Sequence, residues 1–337
     1  MPEHLGRTLS AMADAGIDAL ILGRDANARF VSGADRLSLN GTRAFAPGCV
    51  VVRATGKVHL MSTTDSGIPG DVAHDQLYDM SWNPLTIAGN VAAVPGLADA
   101  TTIGVDGMTP MMEAILGGVL PGAELVDGEA LLRAVRRPKS TGDLDGIRTA
   151  VGVAEQCLAA VVAAVVPGIT ERELLGRFEA RMGRLGVTTP AFEAATCVAG
   201  PAPRSIVTDR VLRTGDLVHL RGGVLVDGWE GVLARTRSVG GTTGPQRAAG
   251  ERAAVALGEA VAACRPGEGI GELRARPEVT ALEGVGLGHE ELADDDVLQA
   301  ADVVYVEVFL DQVLLGDVVH VTDTGPAILT TSPLDLA

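Results

Sequence analysis

Lysine is almost missing from this chain, so arginine carries nearly all its basic charge; 27 basic residues face 43 acidic ones over 337 residues, a formal net charge of -16. A surplus of that sign argues against a nucleic-acid backbone or an anionic membrane as the principal partner, since both would repel it. Cysteine is also thin. Cys49, Cys157, Cys197 and Cys264 lie far apart without a CxxC pair, which suggests buried free thiols rather than a zinc knuckle or a disulfide framework. No apolar run reaches the ~18 residues expected of a membrane span. The opening MPEHLGRTLSAMADAG carries acids and no uninterrupted apolar core, so a secretory leader is not expected. The expected location is the cytoplasm, and the residue usage suggests a high-GC bacterial gene.

What is present is a large apolar fraction, 47% against 21% charged, enough to build packed cores and to exclude disorder as the main state. A chain of this length exceeds the size at which single cores stop growing, so two domains are expected. In the first, Leu5, Leu9, Met12 and Ala13 recur at helical spacing and Gly16 closes the helix. Short apolar strands are expected at 17–22, 48–53 and 57–61, giving an αβ domain that runs to about residue 135. A basic, proline-containing joint, VRRPKSTGDLDG, leads into helices expected over 143–165 and 170–184. Thr170, with Glu173 three residues on, opens the second as a capping box.

The clearest β pattern, and the most unexpected charge, lie in GDLVHLRGGVLVDGWEGVLARTRSVG, residues 215–240. A run over 217–220 ends at Arg221, and the next strand turns at Asp227-Gly228. A guanidinium on a core strand needs water or an acidic partner to offset lost hydration. Glu230 and Arg235 stand at odd spacing, so only one of them faces any cleft. Further strands are expected near Cys197 and over 303–310 and 313–322.

The order GDLV, strand end, DG, RT and VG, with PGITERELLGRFEARMGRLG and MADAGIDALILGRDANARFVSGAD upstream, resembles the pita-bread family of creatinase, prolidase and aminopeptidase P. The resemblance implies an α+β protein, with a creatinase-like N-terminal domain over 1–135 and a pita-bread domain over 136–337. It also implies two aspartates, a histidine and two glutamates holding two metal ions. Those positions correspond here to Arg221, Val232, Glu283, Glu307 and Gly316. Valine and glycine offer no side-chain ligand and arginine repels a divalent cation, so a degenerate site with no metal and no cofactor is expected, with Arg221 pairing Glu307 and Glu283 where the metals would sit.

The family's shuttle histidine falls at Arg204, and His289 matches its second histidine. An arginine that grips the substrate carboxylate across a homodimer interface corresponds to Arg43. The expected catalytic groups are Glu307, His289 and Glu283, with Arg221, Arg204 and Arg43 binding substrate. His219 and His320 are expected to be structural, Arg235 an ion-pair member, and the acidic run from Glu290 to Asp296 a solvated loop. Two functions fit. One is a metal-independent enzyme acting on a C–N bond of a small carboxylated substrate by hydrolysis, elimination or cyclisation. The other is an inactive pseudopeptidase that binds a peptide or metabolite. Neither involves nucleic acid or membrane.

Overall fold

The computed structural model describes residues 2–35, 37 and 46–337. Its chain forms two compact units, Met1–Arg136 and Arg137–Ala337. Arg43 lies outside the described residues.

In the first unit, α1 (Pro2–Asp14) leads into β1 (Ala19–Leu22), α2 (Asp25–Ser32), β2 (Cys49–Val52), β3 (Lys57–Met61), β4 (Leu77–Tyr78), α3 (Pro84–Ala92), β5 (Thr102–Val105), α4 (Pro110–Val119), β6 (Glu124–Asp127) and α5 (Glu129–Arg136). Among the described residues the strands form one sheet in the order β4-β3-β2-β1-β5-β6. The central strands β1 and β2 are buried at every residue, which is why they read as unbroken apolar runs. Gly16, at φ 69°, turns the chain out of α1. Buried Asn27 on α2 donates to Asp106 and Glu129 and accepts from Arg136. Asp106 also receives the backbone N–H groups of Gly23 and Arg24. This buried polar network fixes the entry of α2.

The second unit runs through α6 (Thr141–Val162), α7 (Glu171–Arg184), β7 (Ala195–Val198), β8 (Leu217–Val226), β9 (Trp229–Ser238), α8 (Gly244–Ala262), α9 (Ile270–Arg274), β10 (Val279–Gly286), β11 (Gly288–Glu290), β12 (Val303–Leu310), β13 (Val313–Thr322) and β14 (Gly325–Ile328). Capping boxes open α6 at Ser140/Asp143, α7 at Thr170/Glu173 and α8 at Thr243/Gln246. The sheet order is β11-β10-β12-β13-β9-β8-β7, with β14 on β13. The two faces divide by parity. Val218, Leu220, Val224 and Leu233 join α6 and α7 in one core, and Val304, Val306, Val308 and Leu315 join α8 and α9 in another. The opposite face carries the alternating residues of the same strands.

One expectation is corrected here. The strand does not end at Arg221: β8 continues to Val226 through Gly222 and Gly223. Both glycines are packing requirements, since a Cβ at 222 would meet Phe178 Cζ at 2.7 Å and one at 223 would meet Phe192 Cε1 at 2.8 Å. Arg221 is therefore a mid-strand residue whose side chain the sheet must accommodate. The segment 267–284 holds a five-residue helix, α9, and most of β10. No helix among the described residues is long and apolar enough to cross a membrane.

Candidate active site

Strand register assembles the site. Arg221 on β8 pairs with Ala234 on β9, Ala234 with Gly316 on β13, and Gly316 with Glu307 on β12, which pairs with Ala281 on β10. Directly paired residues share a face, so these five side-chain positions form one row across the inner face. Alanine at 234 and glycine at 316 put no long side chain in the middle of the row. Arg221 and Glu307 meet over that gap, with Nε 3.0 Å from Oε2. The Nε–H makes no aligned hydrogen bond, so the contact is an ion pair held by charge rather than by a straight N–H···O line.

Glu307 is engaged on both oxygens. Tyr305 donates its hydroxyl to Oε2 at 2.7 Å and Thr280 donates to Oε1 at 2.9 Å. Glu307 is 4% exposed and Tyr305 1%. Burial works against the charge of Arg221, but Glu307, followed by Tyr305 and Glu283, more than offsets it and leaves the guanidinium above its ordinary value. The Arg221 carbon lies 4.9 Å from the centre of the Phe192 ring and 6.0 Å from that of Tyr305, so two aromatic walls flank the cation. For the phenol of Tyr305, burial first and the Glu307 carboxylate second hold the proton on oxygen well above the usual range.

The replacement at Gly316 has a steric meaning that composition does not reveal. A Cβ there would fall 2.6 Å from Tyr305 Cζ and closer still to its hydroxyl oxygen. The tyrosine thus occupies the space that any side chain at 316 would need. Gly316→Ala should therefore destabilise the protein by roughly 1 to 3 kcal/mol through overpacking. Chemical denaturation of the two proteins checks this, and equal midpoints would mean Tyr305 does not hold that position.

Glu283 and His289 lie on the strands next to this row. His289 pairs with Val285, and its Nδ1 is 3.8 Å from Glu283 Oε2; both side chains are open to solvent, 58% and 42% exposed. Glu283 stands opposite Tyr305 and adds to the field at Arg221. Arg221, Glu307, Glu283 and His289 are thus brought into one neighbourhood.

Arg204 is not part of it as a free anion binder. Its guanidinium pairs with Glu171, which is fully buried at the start of α7. Glu171 also accepts from Val198 N–H at 2.7 Å, from Thr208 N–H at 3.0 Å and from Thr208 Oγ1 at 2.7 Å. Burial alone would raise the Glu171 carboxyl, but these bonds and the Arg204 charge hold it below its usual range. A buried carboxylate of this kind requires a cation, and Arg204 supplies it.

One other residue departs from its expected place. Glu290 is not in a solvated loop: it is 8% exposed and takes a 2.7 Å ion pair from buried Lys139. Glu230 faces inward while Arg235 faces the other side, where it reaches Asp317 and the Gly316 carbonyl, each at 2.8 Å. Glu230 is 5% exposed, and its Oε2 is buried without a hydrogen-bond partner. Desolvation first, then the charges of Glu283 and Glu290, push its carboxyl up to about 8, against a smaller downward pull from Arg221. Nothing in the residue order singles out Glu230 beyond its parity, or Tyr305 or Phe192. His219 is buried, bonded to the Gln312 carbonyl at 2.9 Å and set edge-on against Phe309. All four cysteines are buried free thiols.

The donor set does not fit a pair of divalent metal ions. Glycine and valine stand at two of the implied ligand positions, a guanidinium at a third, and the space beside Gly316 is filled by Tyr305. Val232 is 2% exposed in an apolar cluster with Ala234, Val303, Tyr305 and Val318. Among the described residues, no three His, Cys, Asp or Glu groups are arranged to hold a metal.

Two adjoining family models match the chain: Creatinase/Prolidase N-terminal domain over residues 5–137 and Metallopeptidase family M24 over 145–310. A Xaa-Pro dipeptidase of Pyrococcus furiosus is 26% identical over 61% of this chain and 66% of its own length. A creatinase of a Bacillus species is 28% identical over 70% of this chain and 59% of its own. Among solved structures, the prolidase from Pyrococcus horikoshii OT3 superposes with a TM-score of 0.81 at 20% identity, covering 99% of this chain and all of that one. The inner-face cleft described above therefore sits in an α+β chain that belongs to the pita-bread creatinase/prolidase family.

Proposed function

We propose that this protein is a metal-independent, creatinase-like enzyme acting on a C–N bond of a small carboxylated substrate, by hydrolysis, elimination or cyclisation. The observation that carries the reading is the Arg221–Glu307 ion pair, packed against Tyr305 where metal ligands would otherwise converge. Arg221 has 28% of its side chain exposed and donors beyond the one facing Glu307. That edge suits a substrate carboxylate, which a planar guanidinium fork grips in two places. Phe192 beneath it offers a flat apolar wall. Glu307, with both oxygens engaged, serves as the counter-ion that fixes Arg221. Proton exchange then falls to Glu283 and His289, whose solvent-open side chains can reach a substrate seated on Arg221.

The same engagement of Glu307 favours a second reading, a catalytically inactive binder of a peptide or metabolite. One experiment separates the two. Chelator-washed protein is incubated with Xaa-Pro dipeptides, guanidino acids and amino acids, with turnover followed by NMR and metal content by elemental analysis. The first reading expects turnover of one chemical class that survives chelation and is lost in Arg221→Lys, without stoichiometric transition metal. Binding without turnover supports the second. Turnover that appears only with about two equivalents of bound manganese, zinc or cobalt overturns both.

A homodimer is part of this proposal, since a neighbouring subunit would supply Arg43 to the site. Light scattering at micromolar concentration should report twice the chain mass, and a monomer there would remove both the dimer and the role of Arg43.

A further inference from the structure

Three carboxylates stand on the inner face, Glu230, Glu283 and Glu307, with Glu290 on the other side of β11 still adding its charge, and the charges that meet them do not balance. Arg221 is paired with Glu307 and Lys139 with Glu290. Glu283 has the imidazole of His289 at 3.8 Å. Glu230 has a buried Oε2 with no hydrogen-bond partner. The groups whose charge it feels are Glu283 on β10, Glu290 on β11 and Arg221 on β8.

A carboxyl left this way is costly, because a buried polar oxygen without a partner forfeits its hydration and gains nothing. The neighbourhood also decides what could complete it. An anionic group would be repelled by Glu283, and an apolar group would leave Oε2 unpaired. A cationic N–H donor would satisfy the oxygen and be attracted by both glutamates.

We propose that Glu230, together with Glu283, receives the cationic end of the ligand, an ammonium or amidinium whose N–H donates to Glu230 Oε2, so that the ligand is a small zwitterion with its carboxylate on Arg221. The carboxylate half rests on the functional reading above, while the cationic half rests on Glu230 alone. Binding of the cation favours the ionised form of Glu230, so a proton leaves that carboxyl for solvent as the ligand enters. No bond of the ligand changes in this step. Glu283, 42% exposed, is the member that meets solvent first, and Glu230 is the inner one.

The test needs no knowledge of the natural ligand. Protein labelled with ¹³C at the glutamate carboxyls is titrated by NMR, and the resonance absent from Glu230→Gln is that of Glu230; Glu230→Met serves the same assignment if the glutamine variant does not fold. The titration is repeated in methylammonium chloride and in potassium chloride at equal ionic strength. The expected result is a fall of about half a pH unit or more in the Glu230 midpoint with methylammonium, none with potassium, and a smaller fall in Glu283→Gln. Equal midpoints in the two salts overturn the proposal. So does a Glu230 that already titrates in the ordinary carboxylate range, which would mean that a buried water or another protein group satisfies it. Failure of the functional reading looks different: a methylammonium response with no turnover of any tested compound leaves a cation-receiving binder.

Discussion

Arg221→Ala should lower the stability of the folded protein by about 3 kcal/mol at pH 7, the lower part of the range for breaking a buried ion pair from one side. The lower part applies because Arg221 keeps 28% of its side chain exposed while Glu307 keeps 5%. The variant leaves Glu307 buried with Tyr305 and Thr280 as donors but without its counter-charge. Urea denaturation of both proteins at pH 7 reads the effect directly. Equal midpoints would show that the guanidinium is held by water and not by Glu307.

Glu230→Gln should act in the opposite direction and more strongly. Burial and like charge carry the Glu230 carboxyl from an ordinary value near 4.5 to about 8. Each pK unit is worth about 1.4 kcal/mol, so ionised Glu230 weakens the fold by roughly 5 kcal/mol above pH 8. The sign follows from linkage: the folded value is raised, so the contribution to stability is intact below the unfolded pKa and is lost as pH climbs towards the folded one. A neutral glutamine of the same shape escapes that loss. The variant should match wild type near pH 4, gain steadily above it, and level off about 5 kcal/mol more stable beyond pH 8. Thermal or urea melts at pH 4, 7 and 9 decide the matter. A constant difference at all three would mean that Glu230 carries no buried charge at any pH.

These two effects bear on the same cleft in different ways. Arg221 stabilises an inward carboxylate, as a replacement for metal must. Glu230 is a residue whose burial works against stability at neutral pH, and such residues persist where a ligand gives them a use. That is the physical motive for treating Glu230 as a receiving group rather than as packing.

Much of the fold was legible in the chain. The hairpin turn at Asp227-Gly228 sits between β8 and β9, the Thr170/Glu173 box opens α7, and the β12 and β13 ranges follow the apolar runs. Each is local: a turn dipeptide, a cap or an alternation acts within a few residues, so its signal is complete in sequence. The charge of Arg221 and the lack of a ligating group at Val232 and Gly316 were legible for the same reason, because a position in a motif fixes residue type. Arg235 was likewise readable as an ion-pair member.

Residue order alone carries the family's motifs and the loss of their ligands. What fills the loss depends on the assembled sheet. Nothing in VYVEVFL singles out Tyr305 until register sets it on the face of Gly316, with its hydroxyl 2.7 Å from Glu307. Arg204 reads as a cleft cation until Glu171, 33 residues away, claims it. Glu230 and Glu290 read as ordinary strand and loop acids until β9, β10 and β11 close over them. The reason is common to all of these. Pairing across a sheet joins residues far apart in the chain, and burial, which sets both the space a tyrosine can fill and the protonation of a carboxyl, is a property of that assembly rather than of any one segment.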